Sequence, residues 1–225
     1  MYIIPLPFAE NACHYFEAIR HQPFPLLLDS SRPASHFGRY DIAMAAPLAV
    51  ITHKDGVTQV LQDGMTRTTE SDAFDLVGEL QQQLLQDLSA GDLDPAIPFT
   101  GGAAGLFGYD LGRSIEAMPS QANADIAVED MCVGIYPWAV ITDHELRTSY
   151  LVSQLDDPQT QTLVQTLTHP SSVMANTFAL KGDFSSNMSA QEYADKFYRV
   201  IDYIHAGDCY QVCLAQRFSA TYTGN

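Results

Sequence analysis

Basic residues are scarce in this chain of 225 residues: 11 Lys and Arg stand against 27 Asp and Glu, a formal charge of -16. That balance opposes the phosphate neutralisation behind most nucleic-acid affinity, so DNA and RNA are excluded as expected partners. The acidic groups occur as pairs and singles, such as Glu129 with Asp130 and Asp156 with Asp157, the pattern of a solvated surface. Cysteine is sparse too, and Cys13, Cys132, Cys209 and Cys213 form no CxxC pair, which argues against a disulfide-built scaffold. Cys209 and Cys213 lie in an alternating, strand-like segment, where a four-residue spacing does not bring two thiols to one metal. Long apolar runs are missing, since no window reaches the roughly 20 residues that cross a bilayer. The opening MYIIPLPFAENACHYFEAIR has no basic leader and is interrupted by Pro5, Pro7, Glu10 and His14, unlike a signal peptide. No membrane partner is expected, and the cytoplasm is the expected compartment.

Catalytic signatures are also absent. GGAAG at Gly101 to Gly105 has neither the GKS/GKT ending of a phosphate loop nor dinucleotide-fingerprint spacing. The seven histidines, His14, His21, His36, His53, His144, His169 and His205, include no HExxH or similar ligand pair. No serine stands in a GxSxG elbow. No catalytic residue and no metal ligand is therefore assigned within the chain.

What is present is core-forming material, 46% hydrophobic and 10% aromatic, enough for one large domain or a domain plus part of another. Leu26 to Ser30 within PLLLDS reads as a buried strand entering a loop. Asp55-Gly56 sits between VITHK and VTQVL as a two-residue hairpin turn, and Asp63-Gly64 extends the meander. Phe74, Val77, Leu80, Leu84 and Leu88, after Ser71, predict an amphipathic helix. The glycine-rich PFTGGAAGLFGYDLGRSIE predicts close backbone approach, with Leu106, Phe107 and Tyr109 packing the core and Asp110 pairing locally with Arg113. Met131 to Val152 reads as two strands turning at Asp143 to Glu145. Residues 156–187, rich in Gln, Thr, Ser and Pro, read as weakly packed or linking, with a boundary near 185. Ser189 and Glu192 then form a capping box before the stripe Tyr193, Phe197, Val200, Ile201 and Ile204, which stops at Gly207. Tyr210, Val212 and Leu214 alternate as a following strand whose exposed edge allows dimerisation. Strands and helices alternate irregularly, which favours α+β.

One constellation has the makings of a ligand pocket. Ser30 closes a strand, and His36, Phe37, Gly38, Arg39 and Tyr40 follow it. A hydroxyl and backbone groups suit an amino acid's ammonium and carboxylate, two aromatics supply walls, and Arg39 supplies an anion contact. The bland alternative is an ordinary loop in which Arg39 pairs with a carboxylate such as Asp41.

FTGGAAGLFGYDLGRSIE, then MCVGIYPWAVITDH, then GDCYQVCLAQRF, together with PLLLDS and GRYDIAMAAP, resemble the aminodeoxychorismate synthase component I family along essentially the whole chain. The sister family, anthranilate synthase component I, is more distant, its glycine segment reading more like GYLGYD. The resemblance implies an α+β fold of antiparallel β-sheets packed face to face with helices outside, like the N-terminal domain of anthranilate synthase component I. It implies residues 1–185 as a tryptophan-pocket and scaffold domain and residues 186–225 as the start of a truncated, chorismate-binding catalytic domain. It further implies conversion of chorismate and ammonia to 4-amino-4-deoxychorismate for para-aminobenzoate and folate, with Mg2+, and with ammonia from a glutaminase subunit. The family's catalytic and metal-binding residues would follow GDCYQVCLAQRF, so the chain alone is expected to be inactive. Its tryptophan pocket would use Ser30, Phe37, Gly38, Arg39 and Tyr40, with another wall from beyond Asn225. Cys213 departs from the Asn usual in QVNLAQRF. The other readings are an anthranilate synthase fragment, a non-catalytic small-molecule binding module, and a scaffold for the glutaminase alone.

Overall fold

The computed structural model describes residues 1–11, 13–31, 38–86, 96–119, 126–169 and 177–224. The chain divides into two compact units, Met1–Ser171 and Ser172–Asn225.

In the first unit the chain opens with strand β1 (Tyr2–Leu6) and helix α1 (Cys13–Ile19). Strands β2 (Leu26–Leu28), β3 (Tyr40–Met44), β4 (Ala49–Lys54), β5 (Val57–Gln62) and β6 (Met65–Thr69) follow. Helix α2 (Ala73–Leu84) leads to strand β7 (Gly102–Phe107) and a 3-10 helix over Tyr109–Ser114. Strands β8 (Met131–Tyr136), β9 (Trp138–Asp143) and β10 (Thr148–Ser153) precede helix α3 (Asp157–Thr168). They form two five-stranded sheets, ordered β1-β10-β9-β3-β2 and β6-β5-β4-β8-β7, with antiparallel neighbours throughout.

The turns follow from local chemistry. Asp55 and Gly56 (φ 48° and 79°) and Asp63 and Gly64 (φ 52° and 73°) adopt the left-handed conformations that a tight two-residue hairpin demands. Asp72 caps α2, its carboxylate accepting from the amides of Phe74 (2.8 Å) and Asp75 (3.1 Å). The helix buries Ala73, Leu76 and Leu80, and Val77 and Leu84 of the predicted stripe pack partly buried against the same core, whereas Phe74 is 41% exposed. Leu88 lies outside the described residues.

Alternation sorts each sheet's side chains. Trp138, Val140, Leu151 and Ala43 pack with α1 and α3 in one core, and Ile51, Val60, Val133 and Ile135 pack with α2 in another. A smaller cluster of Met44, Tyr136 and Ala139 joins the sheets. Within it the Tyr136 hydroxyl donates to Phe24 O at 2.9 Å, and burial pushes the phenol pKa up to about 12.

Sequence expectations are corrected at four further places in this unit. The segment 131–152 holds three strands, because Pro137 interrupts the ladder and the chain passes from one sheet to the other between β8 and β9. Residues 157–168 form a helix capped by Asp156; its buried stripe is only Thr160, Leu163 and Leu167, too narrow to stand out among Gln and Thr. β2 is an edge strand with Leu28 47% exposed. Leu106, Phe107 and Tyr109 are 47%, 50% and 96% exposed, and Ala103 and Leu111 pack the core from this region instead. The local ion pair is as expected, Arg113 Nε standing 3.0 Å from Asp110.

The second unit contains β11 (Ala179–Leu180) paired with β14 (Tyr222–Thr223), and β12 (Ser185–Ser186) paired with β13 (Phe218–Ser219). Its helix α4 (Ala190–Ala206) carries the expected capping box between Ser189 and Glu192 and ends at left-handed Gly207 (φ 80°). None of its side chains is buried. Residues 209–217 form no strand, contrary to their alternation, because a strand exists only where a neighbour pairs with it. Among the described residues no helix is long and apolar enough to cross a membrane.

Candidate functional site

Ser30, Gly38, Arg39 and Tyr40 meet at one end of the first sheet, where β2 leaves it and β3 enters. His36 and Phe37 lie outside the described residues. Ser30 donates its backbone N–H to Asp41 Oδ1 at 2.7 Å, and its hydroxyl oxygen is buried without a well-aligned hydrogen-bond partner. Gly38 passes directly over it. A Cβ at position 38 would stand 2.4 Å from Ser30 O and 2.8 Å from Ser30 Oγ, so only glycine brings the chain this close.

Arg39 is anchored by the β9–β10 turn. Its Nη2 and Nε donate to Asp143 Oδ2 at 2.8 and 3.1 Å, Glu145 lies 3.3 Å from Nε, and the guanidinium sits 4.7 Å over the Tyr40 ring. The Tyr40 hydroxyl donates to Ala96 O at 3.1 Å. Arg39 thus pairs with carboxylates about a hundred residues away, and Asp41 is engaged elsewhere: its Oδ2 stands 2.5 Å from His144 Nε2. Asp143 accepts the amides of Glu145 (2.9 Å) and Leu146 (3.0 Å), which fixes the turn that presents Arg39's partner. A cleft of about 230 Å³ beside these groups is lined by Ile3, Ala96, Ile97, Asp143, Leu146 and Tyr150.

Burial pushes the Asp41 carboxyl up, but the Ser30 amide, His144 and the nearby Ser30 hydroxyl outweigh it and hold the group below its ordinary value. Asp143 behaves alike: burial raises it, and the Arg39 hydrogen bond with the Leu146 and Glu145 amides brings it lower. The sign for stability follows. Both carboxyls have folded pKa values below their unfolded ones, so their contribution is present above about pH 4 and is lost as pH falls through the folded values. Acid unfolding followed by circular dichroism should therefore show stability dropping below about pH 4, with a shallower drop in Asp143→Asn.

Sequence reasoning missed Asp143 and His144 as parts of this site, although their turn was expected. What places them here is the β3–β9 register, Tyr40 opposite Asp143 and Asp41 opposite Thr142, which a strand pattern alone does not disclose. The Ser30 hydroxyl, buried beside the Asp41 carboxylate whose pKa it helps to lower, is a polar group that this end of the sheet offers to a small ligand. Among the described residues no group of three His, Cys, Asp or Glu side chains is arranged to hold a metal ion.

The model of the chorismate binding enzyme family matches residues 25–225. The chain is 43% identical to aminodeoxychorismate synthase component 1 of Klebsiella aerogenes over 225 residues and 39% identical to that of Escherichia coli (strain K12) over 228, in each case 99% of this chain and 48% of the relative. To anthranilate synthase component 1 of Synechocystis it is 27% identical, over 92% of this chain and 45% of the relative. Among solved structures, anthranilate synthase component I from Streptococcus pneumoniae TIGR4 shares the fold, with a TM-score of 0.61 at 22% identity over 89% of this chain and 45% of that one. The chain spans about half the length of the curated relatives it matches, their N-terminal half. From its matched residues and its fold together, the chain belongs to the chorismate-binding enzyme family.

Proposed function

We propose that this chain is the N-terminal scaffold and amino-acid-binding portion of an aminodeoxychorismate synthase component I. The observation that carries the reading is the identity of 39–43% across 99% of the chain to such enzymes, against 27% to the anthranilate synthase of Synechocystis. The whole protein would replace the chorismate ring hydroxyl by ammonia, releasing water and giving 4-amino-4-deoxychorismate. A glutaminase subunit would supply the ammonia, and the cytoplasm would be the compartment. The nucleophile, the proton donor and the ligands of Mg2+ would belong to the part of the relatives that this chain does not span, and no step of the chemistry is assigned to residues here. Residues 1–185 would form the scaffold and 186–225 the first piece of the catalytic domain. An amphipathic helix that buries none of its stripe supports that second assignment, since such a stripe is stable only against a partner surface.

In this reading Ser30, Gly38, Arg39 and Tyr40, together with Phe37, hold free tryptophan. The Ser30 hydroxyl and nearby backbone take its ammonium and carboxylate, and an incoming carboxylate shares Arg39 with Asp143. Because the enclosing wall would come from elsewhere, calorimetric titration of the 225-residue chain with L-tryptophan should give weak binding or none. Tight binding by this chain would contradict that division of the pocket. The enzyme reading is tested by chromatography of what the uninterrupted reading-frame product makes from chorismate, ammonia and magnesium: 4-amino-4-deoxychorismate is expected, and anthranilate would move the chain to the sister enzyme.

A further inference from the structure

We propose that His144 is a positioning residue of the Ser30 site, acting through Asp41; this rests on reading that site as an amino-acid pocket. Ladder pairing of β2 ends at Leu28, opposite Ile42, so Ser30 stands beyond it. What fixes the Ser30 backbone is the Asp41 carboxylate, whose one oxygen accepts the Ser30 N–H at 2.7 Å while the other meets His144 Nε2 at 2.5 Å. The Asp41 and His144 side chains are 5% and 8% exposed, so water is poorly placed to substitute for either partner. His144 also donates its backbone N–H to Arg39 O at 2.9 Å. One residue of the β9–β10 turn therefore touches both the segment carrying Arg39 and Tyr40 and the carboxylate carrying Ser30.

Among the described residues Asp41 is the hydrogen-bond partner of the imidazole. Its ring stands edge-on to Phe8 with centroids 6.3 Å apart, and Phe8 lies under the Arg147 guanidinium at 4.7 Å. Among the described residues the charged groups nearby are Asp41 on β3, Arg39 before it, Asp143, Glu145 and Arg147 in the turn, and Glu10 before α1. Arg39 is held by Asp143 and Glu145, and Arg147 by Glu10 at 2.8 Å. Without the imidazole, Asp41 keeps one oxygen buried and unmet, a costly state that is relieved by turning the carboxylate away from Ser30. The Ser30 hydroxyl then loses its fixed place at the ligand.

The test compares wild type, His144→Ala and His144→Gln in the uninterrupted reading-frame product, by hydrogen exchange of the Ser30 amide without ligand and by calorimetric affinity for L-tryptophan. His144→Ala should speed Ser30 exchange and weaken tryptophan each by about tenfold or more, the ratio set by a lost charge-assisted hydrogen bond. His144→Gln, whose amide N–H reaches the same oxygen, should stay within about threefold on both. Unchanged exchange in His144→Ala, or a folded His144→Gln as damaged as His144→Ala, would overturn the proposal. If wild type takes no tryptophan while exchange responds as stated, the amino-acid reading falls and the positioning contact stands. If wild type takes tryptophan and neither readout responds to His144→Ala, the reverse holds.

Discussion

Replacing Gly105 with alanine should destabilise the N-terminal unit by about 3 kcal/mol. Gly105 lies in β7, opposite Val133 of β8, with φ +157°. A Cβ there would stand 2.1 Å from Cys132 O and 2.8 Å from Val133 Cα. Both are backbone atoms of a central strand, so no side chain can swing aside, and relief requires β7 to move off β8. The same substitution at Gly78 should act in the opposite direction. That position is exposed in the middle of α2, with nothing within 4 Å of an added Cβ, and alanine there should stabilise by about 0.5–1 kcal/mol. Urea unfolding followed by circular dichroism measures both, and two changes of equal sign would refute this account of the glycine segment.

Trp138→Ala should cost about 4 kcal/mol, the scale of an aromatic-to-alanine cavity in a well-packed core. The side chain is 2% exposed and belongs to the cluster that holds α1 and α3 to the first sheet, with Ala18, Ala43, Leu151 and Leu163 among its members. It also stands just after Pro137, where the chain changes sheets, so no nearby chain end can collapse into the space. As Trp138 is the sole tryptophan, its own fluorescence vanishes in the variant, and far-ultraviolet circular dichroism has to follow the unfolding. A loss below about 1 kcal/mol would mean that this core is far softer than its burial implies.

Elements whose cause is local were legible in the sequence. Asp55-Gly56 and Asp63-Gly64 turn as expected, because left-handed backbone at two successive positions selects those residue types. The capping box of Ser189 with Glu192 and the stop at Gly207 fix α4 at both ends. Elements whose cause is tertiary were not legible. α3 has a three-residue stripe that acquires meaning only against α1 and the sheet. Leu106 and Phe107 are apolar yet exposed, because β7 lies at a sheet edge and their neighbourhood is decided by topology. In the site, Ser30 and the segment from Gly38 were visible as a cluster since they are near in sequence. Asp143 and His144 were not, being brought in by pairing across a hundred residues.

Chorismate turnover with excess ammonia and magnesium, run side by side on the 225-residue chain and on its uninterrupted reading-frame product, tests the central claim most directly. The expected result is 4-amino-4-deoxychorismate from the longer polypeptide and none from this chain. Turnover by the 225-residue chain alone, or by neither polypeptide, would contradict the reading of residues 1–225 as the scaffold and amino-acid-binding portion of that enzyme.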